Sequence, residues 1–157
     1  MSITLKRGNL LQSDCNIICH QVNCQGVMGA GIAKQIRNKY PEMYSQYHKE
    51  CASITNLLGK THLYEVGENK YIANMYAQNE IYPMGVRHTD YDAFVQCCEE
   101  LRDQVKILME NNPSVHYKIG FPYNIGCGLA GGNWNIILGI LCDIFLYKEY
   151  DVEIWKL

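Results

Sequence analysis

The stretch His20-Gln21-Val22-Asn23-Cys24-Gln25-Gly26-Val27-Met28-Gly29-Ala30-Gly31-Ile32-Ala33 decides the reading of the fold. Ahead of it lies a short apolar run, Asn16 to Val22, of the kind that forms a strand. After it, Ile32, Ala33, Ile36 and Tyr40 recur at helical spacing until Pro41 stops the pattern. A strand therefore feeds a helix N-terminus through a turn of small residues, where backbone amides can approach an anion closely. The segment Gly126-Cys127-Gly128-Leu129-Ala130-Gly131-Gly132 repeats that context. Val115 to Tyr123 reads as the strand before it, and Asn133 caps a broadly apolar helix containing Ile136, Ile137, Ile140, Leu141, Ile144 and Phe145. Two such loops can clasp a diphosphate from both sides.

Working outward, Ile3 to Lys6 is a strand that meets the turn Gly8-Asn9, and Met43 to Cys51 is a short helix. Thr61 to Val66 and Tyr71 to Ala77 are strands joined by Gly67-Glu68-Asn69, a hairpin-like turn. Beyond a polar loop from Asn79, the residues Phe94, Cys98, Leu101, Val105 and Leu108 mark an amphipathic helix with Asp90 as its N-cap, ended by Asn111-Asn112-Pro113. Val152 to Trp155 is the closing strand. Strands and helices alternate along most of the chain, which predicts an α/β fold with helices on both faces of a sheet. The 157 residues suit a single domain.

Composition narrows the function classes. Fourteen basic and sixteen acidic residues give a net charge of −2, so no sequence-general nucleic-acid binding is expected and no membrane association, whereas a small anion held by backbone amides is permitted. The N-terminus Met1 to Arg7 has no signal-peptide core and no run reaches the roughly 18 apolar residues of a membrane span, so a cytoplasmic monomer is expected. The eight cysteines fall in apolar strand-like or helix-like stretches and read as reduced, mostly buried thiols. There is no Cys-x-x-Cys or His-x-x-x-His pair; His20 and Cys24 come nearest, and two ligands do not make a zinc site, so no metal and no cofactor is expected.

Neither loop fits the P-loop pattern, and the first lacks full Gly-x-Gly-x-x-Gly spacing with a ribose-binding acid. From Gly8-Asn9 through both loops to Trp155-Lys156-Leu157, the chain instead resembles the macrodomains, an ADP-ribose-binding family. The resemblance implies a three-layer fold, a mixed central sheet flanked by helices. It also implies that Asn23 lies at the distal ribose and that the diphosphate is held by Gly26, Met28, Gly29, Ala30, Gly31 and Ile32 on one side and Gly126, Cys127, Gly128, Leu129, Ala130 and Gly131 on the other. Gly8 and Asn9 would sit at the adenine, with Asn9 standing where the family commonly has an Asp.

Within that family the chain looks most similar to the terminal ADP-ribose glycohydrolases and DNA de-ADP-ribosylating antitoxins, and to the ADP-ribose 1''-phosphate phosphatases. The glycohydrolase Lys and Asp are replaced by Gln78 and Ala130, which removes the amine and carboxylate of a covalent mechanism. The phosphatase-branch His is matched by His20, suited to acid–base work or to orienting water. Strand alternation sets His20 and Val22 on one face and Asn23 on the other unless the turn begins early. Arg87 and Tyr91 are lesser candidates; Asn124 and Asn133 are read as shaping and capping the second loop. The expected function is an ADP-ribose-binding domain that hydrolyses a substituent at the distal ribose, with catalytic residues His20 and Asn23. That substituent is a linkage to a macromolecule or a 1''-phosphate. The alternative is a non-catalytic reader or a protein that sequesters a nucleotide metabolite.

Overall fold

A computed structural model describes residues 3–147 and 149–157. Six strands, β1 (Ile3–Arg7), β2 (Ile17–Asn23), β3 (Thr61–Gly67), β4 (Lys70–Gln78), β5 (Lys118–Pro122) and β6 (Asp151–Lys156), form one sheet in the order β1-β6-β5-β2-β4-β3. All neighbouring pairs are parallel except β3 with β4. That exception is the hairpin expected from Gly67-Glu68-Asn69, and Asn69 takes the left-handed φ of 52° that its turn requires.

Helices α1 (Gly31–Lys39) and α2 (Pro41–Ser53) cover one face of the sheet; α3 (Tyr91–Asn111) and α4 (Trp134–Ile144) cover the other. Strand β2 is buried on both sides, which explains its nearly continuous apolar run. Ile17 and Cys19 pack towards Phe94, Leu101, Val105, Ile137 and Leu141, whereas Ile18 and Val22 pack towards Ile36, Met43 and Tyr47. On the α1–α2 face, Glu50 ties α2 to the sheet edge by accepting from His62 Nδ1 (2.9 Å), Tyr76 (3.3 Å) and Tyr64. Burial alone would raise its pKa, but the hydrogen bonds from Tyr64 and His62 prevail and hold it below the usual carboxylate range.

Several element bounds differ from the sequence reading for local reasons. Pro41 both stops α1 and opens α2 at a position where a missing N–H costs nothing, so α2 begins earlier than Met43. Strand β5 starts only at Lys118 because the Val115 amide is drawn into a turn with the Asn112 carbonyl. An unforeseen single helical turn at Leu10–Gln12 is capped by Asn9, whose Oδ1 accepts from the Leu11 amide. Among the described residues, no helix is long and apolar enough to cross a membrane, and all eight cysteines are free thiols.

The topology places the functional loops. From neighbouring strands β2 and β5, the following connections leave in opposite directions, from β2 towards β3 and β4 and from β5 to β6. A crevice forms at such a switch point beyond the carboxyl ends of the strands, and both glycine loops leave from there. Leu101 is wholly buried in the α3–α4 core, so Leu101→Ala should lower stability by about 2–5 kcal/mol; urea unfolding with a midpoint close to wild type would contradict this account of the core.

Candidate functional site

A cleft of about 860 Å³ opens at that switch point, bounded by Gly8-Asn9, the start of α1, the loop after β5 and the end of β6. Its first wall depends on Asn23. The Asn23 Oδ1 accepts from the amides of Gln25 (3.0 Å) and Val27 (3.2 Å), and Nδ2 donates to the Val27 carbonyl (2.8 Å). Tyr47 of α2 reaches both the Asn23 carbonyl (2.7 Å) and Oδ1 (2.9 Å). Val22 and Asn23 both meet the α1–α2 side, so strict alternation breaks at the end of β2, where the register with β4 also shifts by one residue.

The loop so held delivers α1 with its N-terminus open to the cleft. Its N-cap, Ala30, makes no side-chain hydrogen bond, and the first turn contains no acidic residue. The amides of residues 31–33 have no intrahelical acceptor, and the helix dipole adds partial positive charge there. Gly31 has φ +57° and faces empty space, so backbone rather than side chain lines this wall.

The second wall is also backbone. Asn124 (φ 66°), Gly126 (φ 72°) and Gly131 (φ 74°) coil the loop, closed by bonds from Cys127 N to Asn124 O (2.8 Å), Gly131 N to Gly128 O (3.0 Å) and Gly132 N to Gly126 O (2.8 Å). A Cβ at Gly132 would stand 2.5 Å from the Gly126 carbonyl, so only glycine allows this closure. The amides of His88 and Thr89 hold the Ala130 carbonyl (2.8 and 3.1 Å). Among the described residues, no acceptor takes the amides of Gly128, Leu129 or Ala130. Two sets of uncommitted N–H groups thus border one cleft, an arrangement suited to phosphate oxygens.

The floor is neutral. His20 is buried, and its Nε2 pairs with Asn74 Oδ1 at 2.6 Å. Burial lowers its pKa to about 4, outweighing the opposing effect of the Asn74 bond, so the imidazole is uncharged near neutral pH. Beside it, Gln21 donates to Gln78 and Thr89 (2.9 Å each), and Thr89 donates to the Gly126 carbonyl (2.6 Å). His20, Gln21 and Gln78 all line the cleft.

The structure brings together Gly8, Asn9, His20, Ala30, Gly31, Ile32, Gly126, Gly128, Leu129 and Ala130 of the residues expected at the site. Asn23, Gly26, Met28, Gly29, Cys127 and Gly131 do not line the cleft. Met28 is a core residue, Gly26 packs against His48 and Cys51, and Gly131 packs against the backbone of Val86 and Arg87. Asn23 acts on the loop rather than facing the cleft. Asp90 caps α3 through the Ala93 amide (3.0 Å), Arg87 stacks on Tyr91 (4.4 Å), and Tyr91 accepts from the Asn133 amide (2.9 Å), all away from the floor. Sequence reasoning missed Gln21 and Tyr123 as cleft residues; a glutamine inside an apolar strand was the available signal for the first. Among the described residues, no group of three His, Cys, Asp or Glu side chains could hold a metal ion.

Comparison with known proteins agrees with this architecture. The chain is 41% identical over 66 residues to the DNA ADP-ribosyl glycohydrolase of Mycobacterium tuberculosis, a match covering 42% of this chain and 19% of that protein; the chain thus spans about a fifth of that relative's length. It is 28% identical over 145 residues to the ADP-ribose 1''-phosphate phosphatase of Lodderomyces elongisporus, covering 87% of each. The solved macrodomain of Mycobacterium tuberculosis DarG superimposes with a TM-score of 0.83 at 26% identity, over 98% of this chain and 96% of that one. The family model described as the Macro domain matches residues 19–140. The chain belongs to the Macro domain family.

Proposed function

We propose that the chain binds ADP-ribose in the cleft and hydrolyses a substituent at the distal ribose, either the bond to an ADP-ribosylated macromolecule or a 1''-phosphate. The observation that carries the binding half is the pairing of uncommitted amides at the start of α1 with those of residues 128–130 across one cleft. Backbone donors of this kind bind a diphosphate without adding net charge, consistent with the chain's −2. Relatives named for cleavage of DNA-linked ADP-ribose and for removal of the 1''-phosphate support the hydrolytic half.

In this reading Asn23 serves the site by holding the loop that presents α1. His20 remains neutral and orients a water through its free ring nitrogen, so it is not the proton donor. The water oxygen bonds to the distal ribose or phosphorus as the bond to the substituent breaks, and the departing group takes the water's proton. Gln78 and Ala130 provide neither an amine nucleophile nor a carboxylate, and the cleft floor is uncharged; that specific observation favours the second reading, a non-catalytic reader or sequestering protein. A cytoplasmic, monomeric protein remains part of the proposal.

Calorimetric titration with ADP-ribose, followed by product analysis with ADP-ribose 1''-phosphate and with ADP-ribosylated DNA or protein, tests the reading. Binding with turnover of one substrate is expected; binding without turnover selects the reader. Space around the Gly128 Cβ position is open and its backbone is not in the left-handed region, so Gly128→Val should fold normally and block the ligand. Retained affinity in this variant would remove the second loop from the site.

The buried imidazole also predicts a pH dependence. Because the His20 pKa falls from 6.5 unfolded to about 4 folded, the unfolded chain binds the extra proton first, and stability should decline as pH drops through that window and level off below it. Between pH 6.5 and 5, above the Glu50 titration, the thermal midpoint of wild type should fall more steeply than that of His20→Gln. Parallel curves would show that His20 is not held neutral by burial.

A further inference from the structure

The floor of the cleft contains a chain of hydrogen bonds whose direction is fixed at every step. Gln78 Nε2 donates to the Glu80 carbonyl (3.0 Å), which leaves Gln78 Oε1 as the acceptor for Gln21 Nε2 (2.9 Å). The other hydrogen on Gln21 Nε2 goes to Thr89 Oγ1 (2.9 Å). Thr89 can only accept it, because the hydroxyl hydrogen is donated to the Gly126 carbonyl (2.6 Å). The Gln21 amide therefore cannot reverse without losing both bonds.

The atom left over is Gln21 Oε1, buried and with no donor among the described residues. A Cβ at Gly126 would lie 2.6 Å from it, so the loop can close beside this oxygen only with glycine there. His20, the preceding residue of β2, repeats the pattern. Donation from Nε2 to Asn74 Oδ1 makes Nδ1 an acceptor, and it too is buried without a donor. That nitrogen lies on the α1–α2 side of β2, whereas Gln21 Oε1 lies on the other side, beside Gly126 and Thr89. Buried acceptors left unpaired cost free energy that a ligand donor recovers.

We infer that Gln21, locked by Gln78 and Thr89, is a specificity residue: its Oε1 accepts a hydrogen bond from a ligand hydroxyl and selects a sugar beyond the diphosphate. A ligand that ends in an ionised phosphate brings only acceptors to this oxygen and gains nothing from it. The inference rests on the ADP-ribose reading and deepens it, assigning a distal hydroxyl to an uncharged acceptor on β2. Gln78 acts through Gln21 as a positioning residue.

The test compares the affinities of ADP-ribose and ADP for wild type, Gln21→Met and Gln78→Met, with thermal melts of each. Wild type should prefer ADP-ribose. Gln21→Met should weaken ADP-ribose about five- to tenfold, the size of one neutral hydrogen bond, and leave ADP unchanged. Gln78→Met, which only unlocks the amide, should reduce the same preference about two- to threefold. If Gln21→Met fails to fold, the ratio in Gln78→Met decides. An ADP-ribose to ADP ratio equal to wild type in the folded variants overturns the inference while leaving the diphosphate reading intact. A wild type that binds neither ligand overturns both.

Discussion

The carboxamide of Asn23 holds three backbone groups of its own loop and meets the hydroxyl of Tyr47 on α2. The position of α1 depends on that clamp. A loop of small residues has little side-chain contact with which to fix itself, and its conformational entropy must be offset by a few well-directed bonds. Because Tyr47 is itself buried in the core beneath α2, the clamp couples the cleft-facing end of α1 to the packing of the sheet. The N-terminal amides are thereby held in place before any ligand arrives.

The two halves of the cleft solve different problems. At the walls, glycine conformations expose N–H groups and leave them unspent, which suits an anion without lysine or arginine. At the floor, His20 pairs with Asn74 while Gln21, Gln78 and Thr89 orient one another, all uncharged near neutral pH and with acceptors remaining. A ligand with a diphosphate followed by a hydroxyl-rich sugar satisfies both halves. The floor achieves its chemistry with carboxamides and a neutral imidazole, where charged groups would need compensation for their burial.

Much of this was legible in the sequence because the deciding signals are local. The strand–turn–helix order around both glycine loops, the Asp90 and Asn133 caps, and the hairpin at Glu68-Asn69 each follow from neighbouring residues. What failed to emerge depends on contacts distant in the chain. The orientation of Gln21 is set by residues 57 and 68 positions away, and the role of Asn23 is set partly by Tyr47, 24 positions on. Asn23 combines the chemistry of a ribose ligand with that of a turn former, and its bonds to Val27, Gln25 and Tyr47 tie the side chain to the loop. His20 was recognisable as a candidate, but its neutral state follows from burial against Asn74 rather than from any pattern in the chain.

If backbone amides from two loops grip the same ligand, amide nuclear magnetic resonance will register both loops at once. On titrating ADP-ribose into ¹⁵N-labelled protein, the amide signals of residues 31–33 and 128–130 should shift together along one saturating curve, while those of Gln96 and Asp103 on the far side of α3 stay in place. Shifts confined to one loop, or strongest outside the cleft, would contradict the account.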